Sequence, residues 1–356
     1  MDDGDLLARL LARYSPSGRE RGAVDEFVRI AGELGYRCRV DRIGNGVAEI
    51  GRGRPLLLFL GHIDTVEGDR PVVRRRGRVH GRGAVDAKGA LAAALLAGAG
   101  FVGPGTWRVV AAVGEETDSR GARHLARGPA PEFLFAGEPS GWDGVTIGYK
   151  GDVRLEVAFE HRRTHWASPD PTAADLVLGW VDRLRAAAAR HAGDTPFRTP
   201  SVKVVGFASD PSSDPETARA WIDVRLPPGI TTDDVLGWWP EDPAGPTVRL
   251  LTRIEPIEVP RTDPVVVALC ASIRAEGGRP TLWRKSGTSD LNLVGRAWGV
   301  GGAAYGPGDA RLDHTSREVL SVAELRRASR VLRGAIERLG RPAAGPPTAR
   351  SAAPAA

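Results

Sequence analysis

The chain's 356 residues, 42% of them hydrophobic, are long for one core and suit two domains. Its net charge of +5 rests almost wholly on Arg, which nucleotide-composition bias explains, and with no aromatic-interleaved basic stripe nucleic acid is excluded as a partner. The longest apolar stretch, near 90–99, is too short to cross a bilayer, no signal peptide is expected, and two cysteines without metal-type spacing suit a reduced, cytoplasmic protein.

Residues 5–36 predict two helices punctuated by SPSG, the first carrying Leu6, Leu7, Leu10 and Leu11 at helical spacing. Strands follow in CRVDRIGNGVAEIG and in PLLLFLGHIDT, the second a continuous apolar run typical of a buried strand. After GRGAVDAKG come an Ala/Leu-rich helix, the strand WRVVAAVG, a helix in SRGARHLARG and the short buried strand FLFAGEP. This alternation predicts a mixed sheet with helices on both faces. The character changes near 151. DVRLEVAFE, TAADLVLGWVDRLRAAAARHA, SVKVVGFAS, ARAWIDVRLP, TTDDVLGWW and TVRLLTRIE read strand, helix, strand, strand, helix, strand, the ferredoxin-like pattern. From about Asp263 the first pattern resumes with the helix VVALCASIRAEG, the SGTSDLN turn, the loop GVGGAAYGPGD and a last helix, SVAELRRASRVLRGAIERLG. The expected organisation is a discontinuous α/β catalytic domain (1–151 and 259–340), an inserted ferredoxin-like α+β lid (152–258) and a disordered Pro/Ala-rich tail (341–356).

Five short segments carry the chemistry: GHIDTV at 61–66, GRGAVDAKG at 81–89, GEETDSRGARHL at 114–125, AGEPS at 136–140 and YGPGDARLDH at 305–314. They supply His and carboxylate side chains in Gly-rich or chain-reversing contexts, the ligand set of a binuclear metal site with a spare carboxylate as base. His62 and Asp64 follow an apolar strand and point the same way on extended backbone, so the imidazole can bind metal while the carboxylate orients a neighbour. Asp86, in a Gly-flanked turn, can bridge two cations or cap the helix beginning near Lys88. Glu115 and Glu116 end the apolar strand 109–113 and diverge, so one can bind metal while the other faces the substrate. Glu138 ends the apolar strand FLFAG, and His314 follows a Gly-rich loop. Paired CxxC and HExxH patterns are absent, so such a site must be assembled from distant segments. Lysine survives only at 88, 150, 203 and 285, and three of these positions lie in or beside the motifs, which points to a need for compact ammonium groups there.

The order and wording of these segments resemble the di-zinc aminoacylase, ArgE/DapE and carboxypeptidase-G-like amidohydrolase family over about 5–340. Within it, GEPSGWDGVTIGYKG at 137–151, KSGTSDLN at 285–292 and YGPGDARLDHT at 305–315 resemble the hydrolases that release lysine from an amino-group carrier protein (LysK type). The resemblance implies one metal on His62, Asp86 and Glu138 and a second on Asp86, Glu116 and His314, with two divalent ions, zinc first and cobalt also compatible. It implies Asp64 as the carboxylate polarising His62 and Glu115 as general base. His165 of the lid would reach the partner subunit's site in a homodimer formed through the lid, as an oxyanion donor. Arg225 aligns with a residue that binds the substrate carboxylate, and Gly287 and Thr288 with a turn that contacts substrate. Asp290 and Asp309 are candidates for reading a cationic side chain. The expected substrate is the amide joining an acidic carrier protein (LysW type) to lysine or ornithine. A small N-acyl amino acid, such as acetylornithine or succinyl-diaminopimelate, is the alternative. Two departures touch no proposed ligand: TSRE stands after His314 where TPNE is more common, and Glu67 follows GHIDTV where Pro is common.

Overall fold

The computed structural model of the protein describes residues 2–243 and 245–340, so the expectation for the tail at 341–356 lies outside the described residues. Two helices, α1 (Asp3–Leu11) and α2 (Arg21–Glu33), precede β1 (Arg37–Val40), β2 (Gly46–Arg52) and β3 (Leu56–His62). The short pair β4 (Val73–Arg75) and β5 (Arg78–His80) leads to α3 (Lys88–Gly98), β6 (Gly105–Ala112), α4 (Arg120–Leu125), β7 (Phe133–Gly137) and β8 (Gly144–Tyr149). The inserted unit runs β9 (Gly151–His161), α5 (Ala173–Ala189), β10 (Ser201–Asp210), β11 (Glu216–Leu226), α6 (Thr232–Leu236) and β12 (Thr247–Ile254). The chain returns through β13 (Ile257–Glu258), α7 (Pro264–Ala275), β14 (Thr281–Lys285), α8 (Asp290–Trp298), β15 (Ala303–Ala304), β16 (Val319–Ser321) and α9 (Val322–Gly340).

The large sheet has the order β1-β2-β6-β3-β7-β15-β8-β13, with β14 also pairing β8. Strand β3 runs parallel to both β6 and β7, so the C-terminal ends of all three open on one rim. Alternation along these strands decides the faces. Leu57, Phe59, Trp107, Val109 and Phe135 enter the larger core with residues of α1, α2, α3, α7 and α9. Leu58, Leu60, Val110, Ala112 and Leu134 face the other way, against Ala122 of α4 and Leu291 and Val294 of α8. Helices therefore cover both faces, as expected. The helix α3 is apolar on every side and buried along nearly its whole length, as a helix packed between other layers must be.

The inserted unit is an antiparallel sheet of order β10-β11-β9-β12, the ferredoxin-like arrangement. Val153, Leu155, Val157 and Phe159 of β9 pack on Val177, Trp180 and Leu184 of α5. Their alternating neighbours Asp152 and Arg154, with Asp223 and Arg225 of β11, face the side without helices. No helix among the described residues is long and apolar enough to cross a membrane.

The structure departs from the sequence reading in three places. Ile257 and Glu258, expected to end the lid, pair with β8 in the large sheet. Thr281–Lys285 forms a parallel edge strand on β8 ahead of the SGTSDLN turn. Strands β4 and β5 join β16 in a small third sheet. Two- to five-residue strands carry too little alternation to stand out, and β16 arrives from the far end of the chain.

Candidate metal centre and active site

Strand β3 delivers His62 to the rim. Its Nδ1 shares a hydrogen bond with the backbone carbonyl of Asp64 at 3.0 Å, which leaves Nε2 facing Asp86 Oδ1 at 3.1 Å. The buried Asp64 carboxylate lies 3.6 Å from Nδ1. Its oxygens accept the backbone N–H groups of Glu115 and Glu116, each at 3.1 Å, and the Ser17 hydroxyl at 2.7 Å. Asp64 thus ties the turn after β6 to the end of β3. Burial pushes its carboxyl up, but His62, Ser17 and the backbone N–H donors hold it below the ordinary value.

Asp86 stands in the turn between β5 and α3. Its second oxygen is 3.0 Å from His314 Nε2, which in turn is 3.2 Å from Glu116 Oε2. His314 is held at φ 61, a left-handed conformation uncommon for a non-glycine residue and worth noting at a functional position. The turn is clamped by Glu318, the last residue of TSRE, a role the sequence reading did not assign. Its carboxylate accepts the N–H of Gly83 at 2.9 Å and of Val85 at 3.3 Å and pairs with the buried Arg82 guanidinium. Replacing Glu318 with Ala strands a buried charge and frees the turn, and is expected to cost about 3–5 kcal/mol of stability. Glu318→Gln, which keeps an accepting oxygen, should lose less. Urea unfolding measures both, and a wild-type midpoint for Glu318→Ala would contradict the clamp.

Two groups of side chains place their ligand atoms within 4.8 Å of one another: His62, Asp86 and Glu138, and Asp86, Glu116 and His314. Asp86 belongs to both. Glu116 Oε1 is buried without a hydrogen-bond partner. The Glu138 carboxyl is pushed up to about 8, first by burial and then by the Asp86 charge. Glu115 is raised well above the ordinary value, again first by burial, with His62 opposing and Glu138, Asp290 and Glu116 adding to it. Crowded carboxylates with an orphaned oxygen and two imidazoles fit a pair of divalent cations, and the nitrogen and oxygen donors suit zinc, cobalt or manganese.

The carboxylates around both imidazoles raise them above their ordinary value, so protons compete with cations for their nitrogens. His314 is lifted to about 10 by its hydrogen bonds to Asp86 and Glu116. Burial lowers His62, but Asp64 and Asp86 outweigh it and keep the net shift upward. A cation must displace these protons, so apparent metal affinity should rise with pH and loading at neutral pH should release protons. Calorimetry in buffers of different ionisation enthalpy measures the release, and a value of zero would contradict the assignment.

These groups open into a cavity of about 520 Å³, lined from the catalytic layer by Asp86, Glu115, Glu116, Glu138 and His314 and from the lid by Asp152, Arg154 and Arg225. Arg225 is held by two 2.8 Å hydrogen bonds to the Asp223 carboxylate. Gly287 and Thr288 also border the cavity, and a Cβ on Gly287 would meet nothing within 4 Å. His165 is not brought there. It is exposed in the loop after β9, where Nδ1 accepts the Ala167 N–H at 3.1 Å. Asp290 is buried at the start of α8 and Asp309 is paired with the exposed Arg311; neither lines this cavity. Tyr149, Asp152 and Asp313, absent from the sequence assignment, do, and Tyr149 OH, Asp152 Oδ1 and Asp313 Oδ1 are buried without hydrogen-bond partners. Asp313, the residue before His314, and Tyr149, within GEPSGWDGVTIGYKG, lay inside singled-out segments, whereas Asp152 carried no signal.

The three lysines near the motifs share one task. Lys88 Nζ donates to the carbonyls of Arg13 at 2.8 Å and Leu10 at 3.3 Å, Lys150 to that of Thr199 and Lys285 to that of Pro139. Each ammonium satisfies backbone oxygens, which suits a compact multidirectional donor.

A mixed sheet whose rim gathers two carboxylate–imidazole clusters from strand ends and neighbouring loops, beside a ferredoxin-like lid, is the arrangement of a metal-dependent hydrolase. Residues 58–338 match the peptidase family M20/M25/M40, and the chain belongs to that family. It is 38% identical over 352 residues to a LysW-lysine hydrolase of Deinococcus radiodurans, covering 94% of this chain and 96% of that protein. It is 29% identical over 340 residues to a LysW-lysine/LysW-ornithine hydrolase of Sulfurisphaera tokodaii, covering 94% and 95%. A tripeptidase from Staphylococcus aureus shares the fold with a TM-score of 0.78 at 17% identity, over 96% of this chain and 100% of that one.

Proposed function

We propose that the protein hydrolyses the amide joining the terminal Glu γ-carboxyl of an amino-group carrier protein to the α-amino group of lysine or ornithine. The convergence of His62, Asp86, Glu116, Glu138 and His314, with Glu115 beside them, carries the hydrolytic reading. The near full-length likeness to a LysW-lysine hydrolase supports the choice of substrate.

Two divalent ions, zinc or cobalt, held by the two ligand groups would supply Lewis acidity to a water molecule and to the scissile carbonyl. Glu115 belongs to neither group and borders the cavity, so its carboxylate serves as general base toward water and then returns the proton to the departing amine. Asp64 fixes the Glu115 and Glu116 backbone relative to His62. Arg225, fixed by Asp223, presents its guanidinium to the carboxylate of the amino acid, beside Gly287 and Thr288. His165, exposed on the lid, acts on the partner subunit's site in a homodimer joined through the lid.

Purified protein supplied with zinc or cobalt is incubated with carrier-linked lysine, carrier-linked ornithine and acetylornithine, and the released amino acid is quantified. Release from the carrier-linked substrates at the higher kcat/KM is expected. Preference for acetylornithine would overturn the substrate assignment while leaving the hydrolytic one in place.

A further inference from the structure

Beside the catalytic cavity lies a second of about 660 Å³, and the two share Lys285, Ala310 and Arg311 in their walls. The catalytic cavity takes Asp152, Arg154 and Arg225 from the lid, whereas the second takes no lid residue. The two cavities therefore adjoin at Lys285, Ala310 and Arg311, one reaching under the lid and the other lying on the catalytic layer.

Trp283 stands in the wall of this second cavity and is 48% exposed, an open aromatic surface of the kind that anchors a binding partner. It belongs to β14, which among the described residues pairs with β8 and no other strand. The outer edge of β14 thus offers backbone donors and acceptors to an extended chain. Lys285 ends β14, and the next residues, Ser286, Gly287 and Thr288, line the catalytic cavity. A chain lying along β14 would be led to the metal ligands.

We propose that this groove seats the polypeptide segment immediately preceding the acyl residue of the substrate, in extended form and with an apolar side chain against Trp283. The inference rests on the carrier reading above. With Arg225 on the lid side holding the amino acid that departs, the acyl portion extends the other way, toward Trp283. A small acyl group ends inside the catalytic cavity and leaves the second one without an occupant.

The test compares carrier-linked lysine with the dipeptide in which the Glu γ-carboxyl is joined to the lysine α-amino group. Both are hydrolysed by metal-loaded wild type, Trp283→Ala and Trp283→Phe. Trp283→Ala should raise KM for carrier-linked lysine about tenfold at unchanged kcat, and Trp283→Phe should recover most of that loss. Dipeptide kinetics should stay within about twofold of wild type in every variant, since the dipeptide has no chain to place in the groove. An unchanged KM for carrier-linked lysine, or an equal rise with both substrates, would overturn the groove assignment alone. Wild type that cleaves the dipeptide but not carrier-linked lysine would overturn the carrier reading and this inference with it.

Discussion

Glu115→Gln is expected to keep both metal ions and lower kcat by about 10²–10⁴. The substitution preserves size, and the backbone N–H that Asp64 accepts at 3.1 Å is untouched. Glu115 is also outside both groups whose ligand atoms converge, so metal content should be unchanged. What disappears is the carboxylate assigned to take and return the proton, one that burial raises above its ordinary value. Metal analysis beside steady-state kinetics separates the outcomes. Near-full activity would remove Glu115 from the role of base, and loss of metal would make it a ligand.

Asp86→Ala should be more damaging still, since each of the two groups loses the member they share. One keeps His62 and Glu138, the other Glu116 and His314, and two donors hold zinc far more weakly than three. The variant is expected to retain neither ion and to lose activity by several orders of magnitude. Glu138→Ala and Glu116→Ala each leave one group complete and should retain about one ion per chain. Metal stoichiometry after gel filtration measures this series, and two ions retained by Asp86→Ala would refute the bridging position.

The side chains that the structure brings together were legible because each follows a strong local pattern. His62 and Glu138 terminate apolar strands, Glu115 and Glu116 follow another, and Asp86 and His314 sit in Gly-rich segments. What could not be read from the chain was the support around them. Glu318 looks like a surface carboxylate before the last helix, yet it is buried against Arg82 and the turn carrying Asp86. Asp152 alternates with the core residues of β9 as an exposed strand residue would, yet it faces the cavity and is buried. Asp64 was expected beside His62, and its side chain is only part of the contact. The oxygen closest to His62 Nδ1 is its backbone carbonyl, which sequence spacing does not distinguish from the carboxylate. The short strands β13 and β15 have no periodicity to detect, being two residues each.

Strand β15 occupies the place between β7 and β8, parallel to the first and antiparallel to the second. Both neighbours leave the ribosome before the inserted unit, and the strand that joins them leaves after it. The largest sheet therefore cannot be completed until the whole inserted unit has been translated. His314 and Glu318 arrive later than β15, so the unfinished polypeptide lacks both a ligand and the clamp on Asp86. The cluster around Asp86 is therefore complete only once the chain has passed residue 318, and such long-range closure makes for slow folding.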